Sequence, residues 1–262
     1  MKEKKIFFRY NIACESYKKY MQIEVGYYLG KESYSYIKIK DSITNKLNKF
    51  IFPISKIMVE SNPLLIKIGE NIFSEKSIIL KIKEKYIGKI EIKNIDKVYN
   101  DSFWQYKIFC LNANSNGDIK ILGEKLKFRY AKLHLDGNCL NDYITNKLYA
   151  TSNNILDIKN KYAKSAICLC IADSLLNKKI FSCIMLDDIK YIFSNKKGAF
   201  IEEFKKYTKG KNKVIDMAIK QKNLLLKYRV KKDKILVAIY KSKLNKIDLI
   251  FKGKYSLPFV EF

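Results

Sequence analysis

The sequence predicts an all-β protein of antiparallel strands with few or no helices, on three observations. Apolar and charged residues alternate with a period of two through most of the chain. Turn signals separate the runs at roughly the 8 to 12 residue spacing of sandwiches and barrels. Only 3 prolines interrupt them, and no strand–helix–strand rhythm is present. With 262 residues the chain can bury a full core, enough for one large all-β unit or two barrels of ordinary size in tandem. Closing a long meander into barrels also removes exposed strand edges, and such barrels commonly enclose a ligand cavity.

From the N-terminus, Ile6 to Ala13 and Lys19 to Leu29 are aromatic and β-branched runs, the second closed by Gly30. Tyr34 to Lys40 alternates cleanly, and Asp41 to Asn48 is a polar loop. Phe50 to Pro53 and Lys56 to Val59 are short strands around Pro53, whose missing N–H suits an edge or a strand end. Leu64 to Ile68, a turn at Gly69 to Asn71, Phe73, and Ser77 to Ile82 form a hairpin series, followed by Tyr86 to Lys93. The alternation lapses from Asp96 to Phe103, the best candidate boundary, and Trp104 opens a new apolar run through Leu111. Asn112 to Gly117 reads as a turn, Asn138 to Asn146 as polar and irregular, and Asn153-Asn154 as a loop. Strands resume at Lys164 to Ala172, Lys179 to Leu186, Ile189 to Ser194, Val214 to Lys220, Leu224 to Val230, Ile235 to Tyr240 and Ile247 to Lys252. Ala199 to Tyr207 is the one stretch that fits a helix as well as a strand, with Phe200 and Phe204 at i and i+4.

Gly117 to Asn138 carries the chain's chemical interest. Ile119 and Ile121, then Leu126, Phe128 and Tyr130, alternate with charged residues on either side of a turn at Gly123-Glu124, and the alternation slips once between Tyr130 and Leu133. An extra residue there would exchange the two faces of the strand, as a β-bulge does. Just beyond the slip stand His134, the only histidine, and Asp136. Period two puts both on one face. They form either a chemical site or the polar side of an ordinary hairpin, Asp136-Gly137 being also a turn dipeptide.

Composition narrows the function classes. Lys plus Arg number 52 against 26 Asp plus Glu, a formal net charge of +26, which attracts nucleic acid or anionic lipid. Yet the arginines are only Arg9, Arg129 and Arg229, and arginine is the usual residue of bidentate base and phosphate recognition. The 6 cysteines follow no ligand or disulfide spacing and read as reduced core residues. One histidine and unspaced cysteines assemble no metal cluster, so neither metal nor cofactor is expected. P-loop, dinucleotide-binding and Gly-x-Ser-x-Gly patterns are lacking. The basic start is too short and polar for a secretory leader, and no run reaches the roughly 20 apolar residues of a membrane helix. A cytoplasmic protein, at most membrane-associated, is expected.

Three pieces stand in order between Tyr34 and Ile92: YSYIKIKD (Tyr34 to Asp41), FIFPISKI (Phe50 to Ile57) and IGENIFSEKSIILKI (Ile68 to Ile82). In them the chain resembles the tocopherol-cyclase-like family of paired lipocalin-like barrels, and Gly117 to Asp136 is similar to that family's small hairpin and signature strand. The resemblance implies two lipocalin-like domains, 1–100 and 101–262. It implies a hydrophobic or prenylated small molecule as partner and acid-catalysed cyclase or isomerase chemistry. Where family members carry a Tyr-x-Glu-Lys-x-Trp-Gly-like tract, this chain has Ala131 to Asn138. Asp136 stands at the acidic position, His134 where a glutamate is usual, and the tryptophan is absent. By the same resemblance His134 is the proton donor and Asp136 its orienting partner, with Trp104, Tyr130 or Tyr149 as aromatic faces for developing positive charge and Tyr28 as a further ligand-binding residue. The alternative from composition is a basic, non-enzymatic β protein. It would bind nucleic acid or anionic membrane through Lys196-Lys197, Lys205-Lys206, Lys209 to Lys213 and Lys231 to Lys234.

Overall fold

The structure is a computed structural model that describes residues 3–261, apart from 15–17, 62, 95–99, 102–105, 142–143, 153, 159–164, 175–177, 188, 211, 244–245 and 257–258. The chain divides into two compact units, Met1–Asp142 and Tyr143–Phe262. This division lies well beyond the one expected at 100/101, because the two longest strands after that point pair back into the first sheet.

The first unit runs β1 (Lys4–Cys14), β2 (Lys19–Leu29), β3 (Tyr34–Asp41), β4 (Leu47–Pro53), β5 (Ile57–Ser61), β6 (Leu64–Ile68), β7 (Asn71–Ser74), β8 (Ser77–Ile82), β9 (Tyr86–Lys93), the two-residue β10 (Asn100–Asp101), β11 (Tyr106–Ile121) and β12 (Glu124–Asn141). They form one antiparallel sheet in the order β4-β3-β2-β1-β12-β11-β9-β8-β7-β6-β5, with β10 on β11, curled into a nearly closed barrel. Hairpins join most neighbours. The exceptions are β9 with β11, between which β10 intervenes in the chain, and β1 with β12, paired from Lys4↔Asn141 to Ala13↔Lys132. Ile12, Ile23, Ile37, Ile66, Ile78, Ile90, Ile119 and Leu133 meet inside, and burying such side chains contributes about 1.5–3 kcal/mol each.

A polar latch holds the curl. The Asp41 carboxylate accepts hydrogen bonds from the backbone N–H groups of Ile43 (2.9 Å) and Thr44 (2.8 Å), from the Thr44 hydroxyl (2.9 Å) and from the Tyr86 hydroxyl (2.8 Å). Asn48 Nδ2 donates to the same Tyr86 oxygen at 2.8 Å, and Phe50 meets the Tyr86 ring edge-on at 5.9 Å. In sheet order, β2, β1, β12 and β11 all lie between β3 and β9. These bonds therefore cross the barrel instead of following the ladder.

The second unit comprises β13 (Ile144–Ser152), β14 (Asn154–Ile158), β15 (Ser165–Ser174), β16 (Lys178–Leu186), β17 (Ile189–Ser194), β18 (Phe200–Lys209), β19 (Asn212–Gln221), β20 (Leu224–Lys231), β21 (Lys234–Lys243), β22 (Lys246–Ser256) and β23 (Phe259–Glu261). Five strands form a sheet in the order β17-β16-β15-β13-β23 and six another, β14-β22-β21-β20-β19-β18. Their inner faces share a core that includes Ile167, Leu169, Ile184, Phe193, Ile219, Leu226, Val237 and Phe251. Two buried hydroxyl contacts tie strands of the two sheets, Ser182 with Tyr228 at 2.7 Å and Ser165 with Tyr255. Cys14, Cys110, Cys168, Cys170 and Cys183 are free and buried, and burial pushes the Cys183 thiol up to about 12.

One open reading is decided and two local expectations change. Ala199 to Tyr207 holds no helix: β18 begins at Phe200 and Phe204 pairs with Met217. Asn112 to Gly117 is not a turn but the middle of β11, flanked on both sides by strands that satisfy its backbone, with register irregularities absorbed there. Most of Asn138 to Asn146 belongs to β12 and β13. Among the described residues the helical segments are the single turns Ile54–Lys56 and Asn195–Lys197.

Tyr86→Phe lowers unfolding free energy by about 1–3 kcal/mol, since Asp41 Oδ2 loses one of its two donors and Asn48 Nδ2 loses its acceptor. Urea denaturation measures the loss, and an unchanged midpoint would show that the β3–β4 loop holds without it.

Candidate functional site

The site begins with a single extra residue. Before it, Leu126 and Phe128 of β12 face the barrel core; after it, Ala131, Leu133 and Leu135 do. The parity therefore switches. Ser115 of β11 pairs with Ala131 and Gly117 with Phe128, so the interval on β12 is one residue longer than on β11. Tyr130 takes up the difference with φ 53° and its side chain 86% exposed. Its backbone N–H is capped by Asn116 Oδ1 at 2.7 Å. The expected slip between Tyr130 and Leu133 is thus a bulge, and it turns His134 and Asp136 away from the apolar core.

The register shows what they join. Residues directly opposite in an antiparallel pair share a face, and one row across β12, β1, β2 and β3 reads Asp136–Arg9–Glu24–Lys38. A second reads His134–Asn11–Gln22–Lys40 and a third Phe7–Gly26–Tyr36. Gly26 is required where it stands, because a Cβ there would lie 2.1 Å from the Ile6 carbonyl oxygen. Phe7, Arg9, Asn11, Tyr36, His134 and Asp136 are all buried although they face away from the barrel core, His134 at 2% exposure and Asp136 at 0%.

His134 Nε2 lies 2.8 Å from Asp136 Oδ2. A carboxylate oxygen accepts, so the imidazole donates from Nε2. That leaves Nδ1, which has no hydrogen-bond partner among the described residues. Nearby, Glu24 gathers cations: Lys5 Nζ at 2.9 Å, Lys38 Nζ at 3.3 Å and Arg9 Nε at 3.9 Å. The Tyr36 hydroxyl donates to Glu24 Oε1 at 3.0 Å. Burial alone would raise the Glu24 carboxyl, but Lys5, Arg9 and Lys38 together hold it well below the usual carboxylate range. Burial first, and then the Glu24 charge, drive the Tyr36 phenol strongly upward. The aromatic faces already receive cations, with Lys5 Nζ 4.6 Å and the Arg9 guanidinium carbon 5.1 Å from the Phe7 ring centre.

Of the residues expected from sequence, His134 and Asp136 are brought together. Tyr28 lies on the same face of the sheet, paired with Tyr34 and stacked on it at 5.5 Å. Tyr130 stands apart as the exposed bulge residue. Tyr149 is buried in β13 of the second unit, and Trp104 lies outside the described residues. Arg9, Glu24, Phe7 and Tyr36 escaped the sequence reading. The signal for two of them was present, a lone charge inside each of the apolar runs IFFRYNIA and MQIEVGYY.

Two outcomes follow. Glu24→Gln leaves Lys5, Arg9 and Lys38 without their shared anion and costs about 3–5 kcal/mol at neutral pH. A depressed native carboxyl stabilises the fold above its unfolded value, so this advantage of the native sequence shrinks as pH falls below about 4.5. Guanidinium denaturation at pH 7 and pH 3 tests it, and a pH-independent difference would sink the charge argument. Asn116→Ala uncaps the bulge, lowers stability by about 1 kcal/mol and speeds exchange of the Tyr130 amide hydrogen. Unchanged exchange would mean that the bulge holds without that cap.

No family model matches the chain, and no curated protein matches it. Solved structures do. An AttH-like protein from Nitrosomonas europaea aligns with a TM-score of 0.53 at 8% identity, covering 99% of this chain and 92% of that one. CghA aligns with a TM-score of 0.56 at 7% identity, covering 98% and 88%. Neither of these is described as a tocopherol cyclase. At such identities the likeness is one of fold, and the chain has an AttH/CghA-like, lipocalin-like fold.

Proposed function

We propose that the protein binds a hydrophobic or prenylated small molecule and that His134 and Asp136 act on it as an acid pair, in cyclase or isomerase chemistry. The observation carrying this reading is the 2.8 Å contact between two buried polar side chains, on the face of the sheet that the bulge turns from the core. Buried polar groups cost stability unless they are paired, and a His–carboxylate pair is a common proton-transfer device.

In this reading the imidazolium donates its Nδ1 proton to an alkene carbon of the bound molecule. The alkene π electrons form the new C–H bond and leave a carbocation. A hydroxyl oxygen of the same molecule closes on that cation, forming a C–O bond, and its proton returns to Nδ1. The substrate is isomerised with no net consumption of protons. Asp136 keeps the imidazole oriented and offsets its charge while the proton is held. The rings of Phe7 and Tyr36, which lie beside cations already, suit a site where positive charge develops. The resemblance to tocopherol cyclases suggests the substrate class, and the shared lipocalin-like fold is compatible with holding a small molecule.

Native mass spectrometry of the purified protein, followed by organic extraction, tests binding. A co-purifying prenyl lipid, quinone or fatty acid is expected. Nucleic acid released by salt, with no apolar ligand, would favour instead the basic reading through surface lysines such as Lys205 and Lys206. With a ligand in hand, His134→Ala and Asp136→Asn retain fold and binding by circular dichroism and mass, and lose roughly 100-fold or more in conversion. Full turnover by both variants would remove the acid pair from the mechanism.

A further inference from the structure

The second unit carries a separate feature on the outer face of its six-stranded sheet: a groove with a volume of about 510 Å³, within the range of small-ligand pockets. Register explains its shape. One row across β18 to β22 reads Glu203–Ala218–Lys227–Ala238–Lys252, and the next reads Lys205–Asp216–Arg229–Leu236–Lys254. Ala238 is short where its neighbours are long. Lys227 and Lys252 flank it one strand away on either side, about 5 Å each, with Arg229 and Lys254 on the diagonals.

The charges around Ala238 are unequally matched. Arg229 is committed, holding Asp216 through two bonds of 2.7 and 2.9 Å, and Tyr207 donates to the same carboxylate at 3.0 Å. The Arg229 hydrogen bonds hold the Asp216 carboxyl below its ordinary value, against burial, which would raise it. Lys227, Lys252 and Lys254 have no ion-pair partner among the described residues; Lys227 lies 5.7 Å from the Tyr240 ring centre. Glu203, the remaining acid of the groove, sits three strands from Ala238, about 14 Å. A concave wall with uncompensated charge of one sign concentrates counter-ions.

We propose that this groove binds a small organic phosphate, its dianionic group seated over Ala238 among Lys227, Lys252 and Lys254 and its body lying along Ala218 and Leu236. Three flexible ammonium groups lining one groove, on strands to either side of Ala238, suit a tetrahedral dianion. A planar carboxylate is better matched by a guanidinium fork, and the fork here is occupied. The site stands in the second unit and does not depend on the acid-pair reading. A phosphate of this kind comes either from a soluble ester or from a lipid headgroup.

Titration calorimetry at low salt tests it with three probes: inorganic phosphate, adenosine monophosphate, and phosphatidylcholine vesicles with and without phosphatidic acid. Saturable binding of a phosphate-bearing probe is expected, with adenosine alone inert. Ala238→Leu, which fills the groove without changing charge, and the pair Lys252→Gln with Lys254→Gln each weaken binding about ten-fold or more. The control pair Lys67→Gln with Lys120→Gln removes the same charge from exposed positions on β6 and β11 and changes binding less than about two-fold. Binding of adenosine monophosphate identifies a soluble ester; binding confined to phosphatidic acid vesicles identifies a headgroup. Equal losses in the groove and control pairs, indifference to Ala238→Leu, or no saturable phosphate binding would each overturn the proposal.

Discussion

The face switch at Tyr130 governs the first unit. β12 is long enough to pair with β1 along one edge and β11 along the other, and an unbroken alternation would present one set of side chains inward throughout. The bulge divides it into two segments of opposite parity. Upstream, Leu126 and Phe128 fill the barrel; downstream, Leu133 and Leu135 fill it while His134 and Asp136 turn outward. A tyrosine at positive φ is an unfavourable local choice, costing about 1–2 kcal/mol. The Asn116 cap and the apolar packing downstream offset it.

Opposite faces of the same strands are stabilised by different physics. Inward, β1, β2 and β3 bury branched aliphatic side chains, a non-directional gain that scales with area. Outward they bury ions and hydrogen-bonding groups, where geometry decides whether burial helps. A buried ion network is weak evidence for stability, because an apolar replacement of similar volume is often as good or better. The alternation Asp136–Arg9–Glu24–Lys38 is therefore better understood as setting a local field beside His134 than as a staple.

Much of this architecture is visible in the one-dimensional pattern. Strand alternation locates nearly every element of the first unit, and the slip after Tyr130 announces the bulge. The pattern is weaker where both faces of a strand are buried. In IFFRYNIA the lone charge of Arg9 stands out, but its role emerges only when β2 and β12 are set beside it, since Glu24 and Asp136, its neighbours across the register, are distant in sequence. Asn112 to Gly117 misleads for a related reason: turn-forming residues tolerate the register shifts of β11, so local preference yields to pairing on both sides. The domain boundary is displaced because the lapse of alternation after Asp96 interrupts a sheet that later strands complete. Ala199 to Tyr207 has both helical and strand periodicity, and only its pairing with β19 decides.

The pairing of β1 with β12 has a consequence for synthesis on the ribosome. β1 acquires β2 almost at once, but its other edge must wait until residue 141 has been made, 127 residues after Cys14. At elongation rates of roughly 5–20 residues per second that interval is about 6–25 s. Throughout it the growing chain holds β4-β3-β2-β1 as a ribbon with a free edge and one greasy surface, a form open to chaperones and to neighbouring nascent chains. Its alternating ions on the other surface are then still in water, where they keep the ribbon soluble. The charges that become a buried site in the finished protein would serve the unfinished one as its means of waiting.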